Sequence, residues 1–452
     1  MGKIKIMFCS FPDYSSNAKP LYEYMKKRYS NKIEMVWAVS CKEMQEKLQQ
    51  KEIVSYVVGT EEYFEFCKDV DVFFTTHANI VGEKNDKALY IELWHGLGPK
   101  QSGFLSEHVL ESDKEWYSKI SNKIDYLILP SNFWRVIFST ILNFEYSKTI
   151  SLGYPKLDYF KNKDAKENLQ KVIKRDVSSY DKIIYYMPTF RKGCSRESAE
   201  SKFNLNNAIN IYEYSDDELN NFLKKNNYLL CLKKHPSEEL ESSFEDRDNI
   251  ITIHEKDLSD NMITINEILD ASDLMITDYS SLGVEYLFLN KPVLYINTDE
   301  EEYKDNRGII FNNLDFWMPG YRANNIEDLK KGIIGSLSDN YKYKDEMELK
   351  KKLWFSNLEN GGCDNICNFL FNDDGSIKEE LLIKEQSDSY TDRLEKENTK
   401  LKNTIDEKNA VIAKREKRIK ELDDFIAQLI NSKGWRFLEK MRSIKGIFKS
   451  KK

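Results

Sequence analysis

Residues 273–296, DLMITDYSSLGVEYLFLNKPVLYI, constrain the fold more than any other stretch of the chain. Leu274, Met275 and Ile276 form an apolar run too short for a buried helix and suited to a strand inside a sheet. Thr277, Asp278 and Tyr279 interrupt it, and Ser280 stands where a helix N-cap belongs. From Ser281 to Leu289, the residues Val284, Leu287 and Phe288 share one face at helical spacing. Lys291 and Pro292 end that helix, and Val293 to Ile296 supply a second strand. Strand, polar turn and helix in this order aim free backbone N–H groups past the sheet's carboxyl edge, where an anion is stabilised. An ordinary capped helix in an α/β domain accounts for the same residues, so the stretch alone leaves both readings open.

Short apolar runs recur along the chain, separated by helix-like segments. Ile4–Phe8, Val36–Val39, Ile53–Val58, Val70–Thr75, Leu89–Leu93, Tyr126–Leu129 and Thr149–Leu152 are the expected strands of the first half, with a helix near 19–30. Ile183–Met187, Leu229–Leu232, Ile250–Ile253, Leu274–Ile276 and Val293–Ile296 repeat the pattern in the second half. Apolar strands alternating with helices imply parallel sheets covered on both faces. The fold class expected is therefore α/β, with two Rossmann-like domains joined near 153–160 and a cleft between them. Helices at about 325–337, 341–356 and 361–371 are expected to close the second domain. Neither GxGxxG nor GxxxxGK(S/T) occurs, so a dinucleotide or P-loop site is not supported.

The chain has 452 residues, enough for two domains and an extension. A formal net charge of −7 argues against a general nucleic-acid binder. Seven dispersed cysteines read as reduced thiols and not as a disulfide framework; Cys363 and Cys367 share a helix face as core thiols. The start, MGKIKIMFCSF, has too short an apolar run for a signal peptide and resembles a first strand. No run approaches the ~18 apolar residues of a membrane span. The expected location is cytoplasmic, with peripheral attachment to the cytoplasmic face of the cell membrane.

From Ser387 the composition turns to charge with few aromatics. Asn398, Ile405, Ile412, Ile419 and Ile426 recur every seven residues, and Leu394, Leu401, Leu422 and Leu429 fill the companion positions, interrupted by Lys408 and Arg415. Isoleucine on one seam position and leucine on the other favours a parallel two-stranded coiled coil over 387–430, with Asn398 as the register device. A single solvated helix is the other reading. The tail, 431–452, contains eight Lys or Arg against one Glu, with Phe437, Met441, Ile444 and Phe448 spaced for one helical face. That composition suits an anionic membrane surface, and equally a flexible solubilising tail.

Four segments appear in order at plausible spacing: LWHGLGPK (93–100), YYMPTFRKG (185–193), LKKHP (232–236) and ITDYSS (276–281). Together they resemble the CDP-glycerol glycerophosphotransferase family, the teichoic-acid primases and polymerases, whose usual forms are close to WHGTPLK, YxPTWR, a basic residue before HP, and TDYSS. GYPKLDYF (153–160) is similar to the family's GYPRLDYL connector, and Arg307-Gly308 and Met318-Pro319-Gly320 echo later landmarks. The resemblance covers roughly residues 5–370. It implies a GT-B type of fold, an acceptor-side domain over 1–155 and a CDP-alditol-binding domain over 156–375.

The reaction implied is attack of an acceptor hydroxyl on the glycerol-bearing phosphorus of CDP-glycerol, with CMP leaving. Such chemistry needs a base, charge stabilisation on the phosphates and in-line positioning. The resemblance gives His95, after the run Leu89–Trp94, the role of base, a task its unperturbed pKa suits. It gives His235 phosphate binding or leaving-group stabilisation, so two imidazoles from different lobes are expected to face one crevice. Of Lys233 and Lys234 only one can point to the site, and Lys234 is favoured. Arg191 is a bidentate phosphate donor. Asp278, Ser280 and Ser281 would hold the pyrophosphate, and Glu285 a ribose hydroxyl or a surface salt bridge. By the same matches Asn17, Gly96, Lys100, Asp158, Thr189 and Arg307 join the substrate-binding set. His77, His108 and His254 lack motif context and read as structural.

Departures occur: Leu97-Gly98 stand where Thr-Pro is usual, Phe190 replaces Trp, and Lys156 replaces Arg. They leave the acceptor open and keep CDP-ribitol beside CDP-glycerol as donor. The implied acceptor is a lipid-linked glycan or a teichoic or capsular polymer, with no nucleic acid involved. No cofactor is required and no metal-ligand cluster is visible, although Mg²⁺ accompanying the pyrophosphate is compatible. A nucleotide-sugar glycosyltransferase shares the architecture and is the alternative. A membrane-bound scaffold with a dead catalytic domain is a third reading, disfavoured by the presence of His95, Arg191, His235 and Asp278.

Overall fold

The structure, a computed structural model, describes residues 3–78, 85, 87–107, 109–161, 164–189, 207, 209–233, 246–356, 360–382, 390–431, 434, 437, 440 and 441. Its residues fall into two units, Met1–Leu382 and Ile383–Lys452. Two parallel sheets build the first. One contains β1 (Ile4–Cys9), β2 (Ile33–Val39), β3 (Ser55–Val57), β4 (Val72–Thr75), β5 (Leu89–Glu92), β6 (Tyr126–Leu129) and β7 (Thr149–Ser151). The other contains β8 (Lys182–Tyr186), β9 (Tyr228–Leu232), β10 (Ile250–Thr252), β11 (Leu274–Thr277), β12 (Val293–Tyr295) and β13 (Tyr321–Arg322). β4, β5 and β11 are buried at every position, which explains their continuous apolar runs: both faces meet helices.

The spatial order is β3-β2-β1-β4-β5-β6-β7 in the first sheet and β10-β9-β8-β11-β12-β13 in the second. Both wind outward from one inner strand, then jump back across it and wind the other way. Each sheet therefore has a switch point, between β1 and β4 and between β8 and β11, where the following loops part and leave a crevice at the carboxyl ends.

The expected assignment of every late helix to the second lobe is corrected. The helix Gly362–Leu370 packs Cys363, Ile366, Cys367 and Leu370 into the core of the first sheet, with Phe8, Leu21, Val39 and Ile128. Asp158 of the connector fastens it, its carboxylate accepting from Gly362 N at 2.9 Å and Cys363 N at 2.8 Å. Asp158 thus caps the start of that helix, which a sequence match had placed among substrate ligands. Asp158→Ala is expected to lower stability by about 1–2 kcal/mol, read as a shift in the urea midpoint; an unchanged midpoint would refute the capping role. A single apolar core also runs between the lobes, joining Trp94, Leu97 and Tyr154 to Tyr279, Val284 and Leu287.

In the second unit, Tyr390–Asn431 is one helix. Leu401, Ile405, Ile412, Ile419 and Leu422 lie exposed along it. The helix agrees with the sequence reading; its pairing into a coiled coil is a separate matter taken up below. Among the described residues, no helix is long and apolar enough to cross a membrane.

Candidate active site

The motif residues gather at the two switch points. In the first lobe, the loops after β1 and β4 bring Asn17 and Thr76-His77 together, and the adjacent loop after β5 carries His95. In the second lobe, the loop after β8 carries Thr189 and the one after β11 carries Asp278, Ser280 and Ser281.

His95 follows a strained turn. Trp94 has a φ of +53°, a left-handed conformation that costs a bulky residue about 1–3 kcal/mol unless its surroundings enforce it. Three side chains enforce it here. Glu92 Oε1 accepts from Trp94 N at 2.7 Å. Asn17 Nδ2 donates to the carbonyls of Leu93 at 3.0 Å and Trp94 at 2.9 Å, and Asn17 Oδ1 accepts from Lys156 N at 3.2 Å. Lys156 Nζ donates to the carbonyl of His95 at 2.6 Å. Asn17 is completely buried, so its role is to hold this backbone.

The imidazole's own contact fixes its tautomer. His95 Nδ1 lies 2.9 Å from the carbonyl oxygen of Thr76. A carbonyl only accepts, so Nδ1 carries the proton and Nε2 keeps its lone pair. The ring sits deep in the protein mass yet retains an exposed face. Desolvation lowers its pKa from 6.5 to about 4; the Thr76 hydrogen bond works upward and the Lys156 ammonium downward. Solvent on the open face opposes part of this, but the direction leaves a neutral ring at pH 7, able to accept a proton.

His77, read from sequence as structural, stacks on His95 with ring centroids 3.9 Å apart and planes 7° from parallel. Its Nδ1 is 2.8 Å from Thr76 Oγ1. Desolvation and then the neighbouring His95 push its pKa down to about 2, since two imidazolium rings cannot share this stack. Among the described residues, the imidazole beside His95 is His77, from its own lobe.

Glu92 was also missed. It is fully buried at the carboxyl end of β5 and accepts from Thr75 Oγ1, from Ala78 N at 2.8 Å and from Trp94 N. One carboxylate thus ties the loop bearing His77 to the turn bearing His95. Burial pushes its pKa up to about 7 against the pull of those donors.

Across the seam stands the Ser281–Tyr286 helix, capped by Ser280, whose hydroxyl accepts from Leu282 N at 3.4 Å. A Cβ on Gly96 would come within 2.9 Å of Ser281 Oγ, so only glycine lets the His95 turn approach the paired serines this closely. Asp278 accepts from Thr189 N at 2.9 Å and from Thr189 Oγ1 at 2.8 Å, binding the two loops of this switch point to each other. Tyr279 stacks on Tyr303 at 4.0 Å and anchors the turn between them.

Glu285 lies neither at a surface nor open to a ribose. Its carboxylate is completely buried, with Lys156 Nζ at 2.6 Å and Asn266 Nδ2 at 3.3 Å. A buried pair of this kind adds little net stability, but losing one partner costs about 3–5 kcal/mol. Lys100 and Arg307 sit on a further strip between the lobes: Lys100 bridges Ile309, Ile310 N donates to Pro99 O at 2.6 Å, and the Arg307 guanidinium donates to Gln101 O. Lys233 is buried and paired with Glu255 at 3.0 Å. Arg191, Lys234 and His235 lie outside the described residues, so the expected second imidazole has no position here. Among the described residues, no group of three or more His, Cys, Asp or Glu is placed to hold a metal ion.

Comparison with known proteins bears on this geometry. The model of the CDP-Glycerol:Poly(glycerophosphate) glycerophosphotransferase family matches residues 2–372. The teichoic acid glycerol-phosphate primase of Bacillus subtilis (strain 168) is 24% identical over 373 residues, covering 79% of this chain and 90% of that protein. The teichoic acid poly(ribitol-phosphate) polymerase of Bacillus spizizenii is 25% identical over 332 residues, 72% of this chain but only 50% of the relative. Among solved structures, that of the wall teichoic acid polymerase TagF is similar with a TM-score of 0.63 at 21% identity, covering 80% of this chain and 86% of that one.

Proposed function

We propose, since the chain belongs to the CDP-glycerol:poly(glycerophosphate) glycerophosphotransferase family, that it moves an alditol phosphate from a CDP-alditol to a hydroxyl of a teichoic-acid-type acceptor. The observation that carries this reading is the neutral, tautomer-fixed His95 held against the Ser280–Ser281 turn of the other lobe. The acceptor O–H gives its proton to His95 Nε2 as its oxygen attacks the alditol-bearing phosphorus. The new P–O bond forms as the bond to the bridging diphosphate oxygen breaks, and CMP departs. Donor phosphates lie against Ser280 and Ser281, with Arg191, Lys234 and His235 supplying positive charge and hydrogen bonds. The reaction requires no cofactor, and Mg²⁺ accompanying the diphosphate is compatible with it.

The experiment is CMP release by the purified chain from CDP-glycerol and from CDP-ribitol, each with a lipid-linked glycan acceptor. Release from one donor identifies the alditol. Consumption of neither, across acceptors ending in sugar or alditol hydroxyls, overturns the reading.

The helix Tyr390–Asn431 pairs, in the same proposal, with a second copy of itself. In a parallel, in-register dimer the flanking positions place Glu397 opposite Lys402 and Arg418 opposite Asp423, and the seam residue Arg415 beside Glu416. No like charges meet at those flanks. The basic tail then lays two copies on an anionic lipid surface at the cytoplasmic face, an avidity effect. Deleting 387–452 is expected to halve the mass measured by analytical ultracentrifugation, abolish pelleting with anionic vesicles, and spare CMP release from soluble acceptors. A deletion variant with the same number of copies per particle as the full chain would remove the dimer.

A further inference from the structure

We infer that Lys156 is a positioning residue for the transfer reaction: clasped by Glu285 of the second lobe, it grips the backbone of His95 and so fixes the base that activates the acceptor in register with the donor that this second lobe holds. The inference rests on His95 being the base of the reaction proposed above.

The observations converge on one ammonium group. Lys156 Nζ makes two short contacts, to the His95 carbonyl and to Glu285 Oε1, each at 2.6 Å. Its side chain is 4% exposed and that of Glu285 0%, so water does not compete for either bond. The backbone N–H of the same residue binds Asn17, which holds the two preceding carbonyls. Lys156 therefore closes the set of contacts that keeps Trp94 left-handed and His95 in place. Glu285 belongs to the helix that begins at Ser281, and it is steadied by Asn266. The helix whose first residues face the donor thus also carries the partner of the cation that fixes the base. A base misplaced by about 1 Å loses on the order of 100-fold in rate, so such a clasp has a kinetic consequence without touching substrate.

The clasp also bears on proton affinity. The titratable and charged groups described around His95 are His77 on its ring face, Lys156 on its backbone, Glu285 beyond Lys156, and Glu92 beneath the turn. His77 is neutral, and the Lys156 ammonium is the charge that disfavours an imidazolium at His95. A salt bridge serving only to hold the lobes together would show neither effect.

The test compares the wild type with Lys156→Arg, which keeps the charge, and with Lys156→Met combined with Glu285→Gln, which removes both charges so that neither is left buried alone. Kinetics of CMP release are read from pH 5 to 9, and ring signals of His95 are titrated by NMR on ¹³C-histidine protein, assigned through His95→Gln. For the double variant kcat is expected to fall about tenfold or more while the donor KM stays within about threefold. Its acid limb and its His95 titration should both move up by roughly half to one pH unit. Lys156→Arg should recover most of kcat and the wild-type limb. A double variant with wild-type kcat and an unmoved His95 titration overturns the inference, as does a loss confined to KM or to stability. Should the wild type release no CMP from either donor, the functional reading fails, and the NMR titration alone still decides whether Lys156 acts on His95.

Discussion

His95→Ala is expected to lower kcat for CMP release by about 10²–10⁴-fold, the range that a positioned general base contributes, with the thermal midpoint close to that of the wild type. The fold should tolerate the change because His95 is an exposed residue and its loss leaves the Thr76 carbonyl facing only the space that the ring filled. In the proposed reaction the neutral ring is the active form. Its pKa is held below the ordinary 6.5, towards about 4, so kcat/KM should be level at neutral pH and fall only as acidity approaches that lower value. A limb centred at or above 6.5 would contradict the environment described for this ring. Retained turnover in the alanine variant would remove His95 from the base role altogether.

Glu92→Ala should injure both stability and catalysis. It strands the backbone N–H groups of Ala78 and Trp94 in a buried place, at about 1–3 kcal/mol for each unsatisfied donor. It also frees the loops of His77 and His95 from each other, so residual kcat should drop further than the loss of folded protein explains. Chemical denaturation and active-site-normalised kinetics separate the two effects. Because burial raises the folded pKa of Glu92 from 4.5 to about 7, the folded state binds its proton more tightly than the unfolded state. The stability this contributes is complete below about 4.5 and is lost as pH rises through 7. Glu92→Gln, which cannot ionise, should flatten that part of the profile while keeping one acceptor oxygen. A profile identical to the wild type would show that Glu92 does not ionise in this window.

How legible all this was in the sequence depended on distance along the chain. Strands such as Leu89–Glu92 and Leu274–Thr277 were readable because burial on both faces leaves an apolar run up to their last residue, whereas the two residues of β13 carry no pattern. The ordered motifs gave the placement of His95, Gly96, Asp278 and Ser281 at strand ends. They did not give the use of Glu285 or Asp158, whose partners lie 129 and more than 200 residues away in sequence. Glu92 did carry a signal: a carboxylate closing an otherwise apolar strand must be buried, and a buried carboxylate must have donors. His77 follows VFFTT as His95 follows LYIELW, but only the strand order, with β4 beside β5, reveals that the two rings meet.

The return of the chain to the first lobe governs how the halves can move. The chain leaves the first lobe near Gly153–Lys156 and is back against it at Ser356 and Gly362; Ser356 hydrogen-bonds Pro130 and Ser151, and Gly362 packs on Gly153. Two chain crossings lying side by side favour rotation about their common line over sliding or twisting. Any opening of the lobes should therefore separate Lys47 from Asp260 more than it disturbs the region around Tyr154. Spin labels placed on those two regions would register that gradient directly.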